Sequence, residues 1–299
     1  MAQPPPLGAH LSIAGGVWKA VERAHELGCT ALQIFTQAPG RWEGLPITPD
    51  AASRFREAAA EEGLDGVTFA HAPYLINVAT ADRALLARST ALLEDQLRRA
   101  RDLGLAGVVL HPGAHGGEGA EVGLERAAAA LTGVLGRTAG CPRLLLEVTA
   151  GQGTVLCSAW DELGALLSAL PAGRTGVCWD TAHLWGSGHD IASAAGWRKT
   201  WDGFTAATGC VAPDLVHLND TNVELGSHRD RHERIGLGRL GERTFARVVR
   251  DKRLAQVPMV LETPKGPDEV TWDREALELL RELHRRGRGG SKRARSETD

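Results

Sequence analysis

The sequence predicts an α/β fold of the (β/α)8 type, a closed parallel barrel of eight strands ringed by helices. Three observations carry this. Short apolar runs alternate with longer stretches of helical spacing along the whole chain, and several runs are nearly continuous in Val, Leu and Ile, as parallel strands buried on both faces require. The runs number eight, which favours closure over an open sheet. No G-x-G-x-x-G follows the first run, so the doubly wound alternative lacks its phosphate-binding fingerprint. A barrel of this kind takes about 250 residues, and a 299-residue chain that is 43% apolar can fill its core.

The elements follow in order. Strand one is expected at residues 7–10, before a helix at 16–27 that Gly28 ends. Strand two covers 31–35, and its helix, 51–62, stops at Gly63. Strand three, 66–71, ends on His71 in HAPY and leads to a helix at 83–103, closed by Gly104. Strand four, 107–111, ends on His111 in LHPG, and a helix at 124–136 follows. Strand five, 143–147, ends on Glu147, with a helix at 158–170 before Pro171. Strand six, 176–180, ends on Asp180, with His183 three residues on, in CWDTAH. Strand seven, 215–218, carries His217 in VHLND. The loop behind it holds Asp230 and His232 in DRH, ahead of a helix at 242–249. Strand eight, 258–262, ends on Glu262 in LETP. With a last helix, one domain is expected over 1–286. The basic, Gly-rich run RRGRGGSKRAR at 285–295 puts a solvated tail over 287–299. The sharper alternative is a nonspecific phosphate-binding arm.

In such a barrel the C-terminal strand ends open on one mouth, so side chains far apart in sequence converge there. Singly, each has a plainer role. A strand-end His can serve a structural hydrogen bond, Asp180 can cap a helix, and Glu262 can belong to a turn. Nine of them together, at strand ends or in the loop beside them, point to metal. His and carboxylate are the ligands zinc takes where thiolates are absent. Nine exceed the roughly four positions of one ion, so two or three ions are expected, bridged by carboxylates. Such clusters suit phosphoryl chemistry.

Composition bounds the partners. A net charge of −3 with 24% charged residues excludes a strongly basic nucleic-acid-binding domain. Contact with a polyanion must then be local, helped by positive charge from bound metal. The cysteines, Cys29, Cys141, Cys157, Cys178 and Cys210, include no C-x-x-C pair, so neither a disulfide framework nor a structural zinc knot is signalled. A reducing compartment follows. With no apolar signal segment and no membrane-spanning run, a soluble cytoplasmic protein is expected.

GAHLSIAGG, HAPYLIN, LHPG, the LE-x-TAG pattern, D-T-x-H, HLND, DRH and LETP occur in this order. In them the chain resembles the endonuclease IV family of apurinic/apyrimidinic (AP) endonucleases from about Leu7 to about Leu283. The resemblance implies a TIM barrel with three zinc ions, manganese being an alternative at one site. His71, His111 and Glu147 would hold the first ion. Glu147 would bridge to the second, completed by Asp180, His217 and Glu262, and His183, Asp230 and His232 would hold the third. The implied reaction is hydrolysis of the phosphodiester 5′ to an abasic site in duplex DNA, a base-excision-repair step. It leaves a 3′-hydroxyl and a 5′-deoxyribose phosphate. Glu147 and Glu262 are the implied catalytic carboxylates, either able to help orient the attacking water. The family bends DNA and turns the abasic nucleotide out of the stack. Tyr74 and Leu75 match positions that fill the gap, and Arg41 and Trp42 lie in the loop that enters it. No obligate protein partner is implied.

All nine metal positions are kept, whereas some DNA-facing ones depart. The family often reads Asn-Pro-Arg where this chain has Ala38-Pro39-Gly40, which puts Gly40 at the Arg position and leaves Arg41 as the nearest substitute. HLND continues into Thr221-Asn222 rather than Ser-Lys, and Val148 stands where Asn is usual. Two other readings stay open. A sugar isomerase or epimerase on a related barrel would use Glu147, Asp180, His217 and Glu262 alone, with less need of His71, His111, Asp230 and His232. A lesion-binding protein with little catalysis would bind abasic DNA without cutting it.

Overall fold

The strands are β1 (Leu7–Leu11), β2 (Ala31–Ile34), β3 (Thr68–His71), β4 (Gly107–Leu110), β5 (Arg143–Glu147), β6 (Thr175–Asp180), β7 (Leu215–Leu218) and β8 (Met259–Leu261). In this computed structural model, which describes residues 3–286, each strand pairs in parallel with its neighbour in chain order. β8 returns to β1 with Met259 opposite Leu7, so the expected (β/α)8 barrel is closed. The basic tail expected over 287–299 lies outside the described residues.

The helices are α1 (Lys19–Glu26), α2 (Pro49–Glu61), α3 (Arg83–Asp102), α4 (Ala120–Arg137), α5 (Trp160–Ser168), α6 (Thr181–Gly186), α7 (Ala194–Thr208), α8 (Gly241–Val248) and α9 (Thr271–Arg286). α2 starts two residues earlier than the sequence pattern suggests. Thr48 caps it by accepting from the Ala51 amide, and Pro49, which has no amide proton to leave unpaired, opens the first turn. Two helices after β6 fill a stretch where apolar periodicity gave none. Ser193 caps the longer, α7, by accepting from the Gly196 amide, and small residues in its first turn hide the pattern. Among the described residues, no helix is long and apolar enough to cross a membrane.

Alternation along the strands builds two cores. The larger, between sheet and helices, includes Leu32, Leu97, Trp179, Phe204 and Leu277. The smaller fills the barrel with one residue from each of β2 to β8: Ala31, Phe69, Val109, Leu145, Cys178, Leu215 and Val260. β1 offers Gly8 at this level, where a Cβ would overlap the Ala31 carbonyl oxygen. Two residues further along each strand, the next inward position is His10, Gln33, His71, His111, Glu147, Asp180, His217 or Glu262. His111 and Glu262 thus sit one residue past the ends of β4 and β8 and still keep the inward register. An apolar layer plugs the barrel and a polar layer covers it at the C-terminal mouth.

Candidate metal centre

The polar layer and its neighbours gather into three donor groups, each with its ligand atoms within 4.8 Å of one another. They are His71, His111 and Glu147; Glu147, Asp180, His217 and Glu262; and Asp180, His183 and His232. Glu147 is fully buried and serves two groups. Its Oε2 lies 3.1 Å from His71 Nε2 and 2.9 Å from His111 Nε2. Its Oε1 lies 3.0 Å from His217 Nδ1 and 3.2 Å from His183 Nδ1. Asp180 also divides its oxygens. It caps α6, with Oδ1 accepting from the His183 amide at 2.9 Å. Oδ2 turns to the site, 3.6 Å from His232 Nε2 and 3.9 Å from His217 Nδ1. The cap and the candidate ligand are one residue, an oxygen each. Asp230 is outside the tight third group, but its Oδ1 stands 3.3 Å from His183 Nε2 and 3.4 Å from His232 Nε2.

Backbone carbonyls fix three of the imidazoles. His71 Nδ1 faces the Ala72 carbonyl at 2.7 Å, His183 Nδ1 that of Val148 at 3.0 Å, and His232 Nδ1 that of Glu262 at 3.1 Å. A carbonyl only accepts, so Nδ1 carries the proton and Nε2 turns its lone pair inward. His183 Nε2 and His232 Nε2 are buried with no hydrogen-bond partner. Orphaned polar atoms of this kind are costly. Two lone pairs facing carboxylates are what a cation would satisfy, so the residues fit a zinc-type ion.

The electrostatics agree. Burial alone would raise the Glu147 pKa, but His111 and His217 hold it well below the ordinary carboxylate range. Glu262 is likewise held well below that range against burial, by His217 and by its hydrogen bond from His10. His183 is pushed well above the ordinary imidazole value against desolvation, first by Asp180 and then by Asp230. Asp230, against its own desolvation, drops to about 2 beside His183 and His232. The raised values at His183 and His217 and the lowered ones at Glu147, Glu262 and Asp230 share one cause, opposite charges held close together.

Sequence reasoning passed over His10, Gln33, Asn219 and Asp220. His10 Nδ1 meets Glu262 Oε1 at 3.0 Å. Asn219 Nδ2 donates to Asp180 Oδ2 at 2.6 Å, while its Oδ1 accepts from the Glu262 amide at 2.9 Å. Strand alternation was the available signal, since His10, Gln33 and Asn219 share the inward register of the expected ligands. Asp220 accepts five backbone N–H groups, from Thr221 and Leu240 on Oδ1 and from Gly236, Gly238 and Gly241 on Oδ2. Its own carbonyl accepts from the Glu233 amide. It thus ties both ends of the loop bearing Asp230 and His232.

A cleft of about 460 Å³ opens over the donors, rimmed by Phe35, Tyr74, Thr263 and Lys265. Tyr74 is 66% exposed and meets Phe35 edge-on. Leu75 is half-buried and Arg41 exposed. Trp42 is turned away, half-buried under the Arg88 guanidinium in a separate groove along α3.

The family described as xylose isomerase-like TIM barrel matches residues 21–283, which sets the class. A protein of Halorhodospira halophila named probable endonuclease 4 is 42% identical over 277 residues, covering 90% of this chain and 92% of its own length. The crystal structure of endonuclease IV from Thermus thermophilus superposes with a TM-score of 0.83 at 35% identity, covering 94% of this chain and all of that one. A D-tagatose 3-epimerase-like protein superposes at 0.71 but with 16% identity, over 94% of this chain and 99% of its own, a likeness of fold alone. The chain belongs to the endonuclease IV family, nucleases of the deoxyribonuclease IV type.

Proposed function

We propose that the chain is a zinc-dependent endonuclease that hydrolyses the phosphodiester 5′ to abasic sites in duplex DNA, with three ions held by the nine residues His71, His111, Glu147, Asp180, His183, His217, Asp230, His232 and Glu262. The observation that carries this is the set of three adjoining donor groups sharing Glu147 and Asp180. A sugar isomerase needs one such group, and His71, His111, His183 and His232 are in excess of it. Bound zinc supplies positive charge for the phosphodiester and activates water for in-line attack.

The residues divide the remaining work. Glu147 has no exposed surface, so it holds ions and cannot meet substrate. Glu262 lines the cleft with 15% of its side chain exposed, so it is the carboxylate that can accept a proton from, or orient, the attacking water. Held ionised, it acts as an acceptor throughout the neutral range. The cleft is of small-ligand size, far too small for a duplex, so the target nucleotide has to leave the stack. An abasic nucleotide, with no base to unpair, leaves most cheaply. Tyr74, exposed at the cleft rim, and its half-buried neighbour Leu75 would fill the gap, a role their exposure supports.

Incision of a duplex carrying one synthetic abasic site, beside a matched undamaged duplex and with no metal added, tests this. The expected result is a single cut 5′ to the lesion, lost on prolonged chelation and restored by zinc. A folded, zinc-loaded protein that binds but leaves the abasic strand whole would sink the proposal.

A further inference from the structure

Gln33 is fully buried at the barrel mouth and belongs to no donor group. Its Oε1 lies 2.9 Å from His217 Nε2, and its Nε2 lies 2.5 Å from Glu262 Oε1. The two contacts constrain one another. A carboxylate can only accept, so the amide must turn its NH2 to Glu262. The amide oxygen then faces His217, and Nε2 of that ring must carry the proton. The His217 lone pair is left on Nδ1, which sits 3.0 Å from Glu147 Oε1 and 3.1 Å from Glu262 Oε2. His217 is thereby set opposite to His71, His183 and His232, whose Nδ1 atoms face carbonyls. No carbonyl does this for His217, and the amide stands in for one. His10, the register partner of Gln33 on β1, adds a second contact to Glu262 Oε1.

We propose that Gln33 is a positioning residue for the second metal group, fixing His217 as an Nδ1 ligand and holding Glu262 beside it. This rests on the metal reading above. Side chains that orient metal ligands from behind are worth about 10–100-fold in metal affinity. Only an amide offers an acceptor and a donor side by side at this position. Leu keeps the bulk and loses both contacts, together with the 3.0 Å approach of Gln33 Nε2 to His10 Nδ1. Glu keeps the acceptor toward His217 and sets a second carboxylate against Glu262.

The test is zinc content per chain under graded chelator competition for wild type, Gln33→Leu and Gln33→Glu, with the His217 ring nitrogens followed by ¹H–¹⁵N NMR. In wild type, His217 is expected to be Nε2-protonated with metal on Nδ1. In Gln33→Leu one ion is expected to bind about 10–100-fold more weakly while the His71–His111–Glu147 ion is retained. Should that variant fail to fold, Gln33→Glu carries the test, with the tautomer kept and the same ion still weakened. Wild-type affinity at every ion in the folded variants, or metal on His217 Nε2 in wild type, overturns the role of Gln33. DNA cutting is not a readout, so failure of the abasic-site reading would register separately. A wild-type chain that takes up no zinc overturns both.

Discussion

At Glu147 one carboxylate meets four imidazoles, two on each oxygen, with no solvent in contact. At Gly40, on the DNA side, the circumstances are opposite. A Cβ added there would meet nothing within 4 Å, and the backbone is not in the left-handed region. The departure from the family's usual arginine is therefore not forced by packing. Gly40→Arg is expected to change stability by less than about 0.5 kcal/mol. It should also tighten binding of an uncleavable abasic duplex about tenfold, through one new contact with the opened stack. Thermal melting and fluorescence anisotropy check the two halves. Unchanged affinity would mean that this loop does not reach the DNA, as the inward turn of Trp42 toward Arg88 already suggests for its other arm.

Among the elements, strands were more legible than helices. Buried parallel strands have to be continuous in apolar residues, and the eight runs showed it. Their ends carried chemistry in an otherwise apolar register, which made His71, His111, Glu147, Asp180, His217 and Glu262 conspicuous. α7 escaped because its start depends on the Ser193 cap rather than on periodicity. Gln33 and Asn219 escaped because an amide names no chemistry until its neighbours are known. Asp220 escaped for a related reason, since its partners are backbone amides that lie 16 to 21 residues onward, apart from adjacent Thr221. Asp220→Ala frees those amides at the base of the Asp230–His232 loop. A loss of about 3 kcal/mol in urea unfolding is expected, with the His183–Asp230–His232 ion released first on chelation. Destabilisation without selective metal loss would show that the loop holds its shape by other contacts.

For the whole molecule, the donor cluster links stability to pH with a sign that depends on metal. A histidine whose pKa rises on folding, as at His183 and His217, stabilises the fold fully below its unfolded value of about 6.5. That contribution fades as pH climbs through the raised folded value. Glu147 and Glu262, lowered on folding, contribute above their ordinary range near 4.5 and fade as pH falls through their lowered values. The metal-free chain should therefore be most stable between these limits, with a Tm that declines as pH rises above about 6.5. Zinc must displace the imidazole protons, so its stabilising increment should grow over the same interval. Melting curves with chelator and with zinc should slope in opposite directions. Parallel slopes would mean that the histidines are neutral in the metal-free chain.

The three groups draw on β3 through β8, with the last contribution made by Glu262. During synthesis the donors emerge in a fixed order. The His71–His111–Glu147 set has been synthesised by the end of β5, and the Asp180–His183–His232 set only once the loop behind β7 has been added. The second group waits for β8, the same strand that seals the barrel against β1. A nascent chain thus has a three-ligand site long before it has an enclosed mouth. Metal captured early would sit in the growing polypeptide while the barrel is still an open sheet, and the complete cluster dates from the moment the last strand docks.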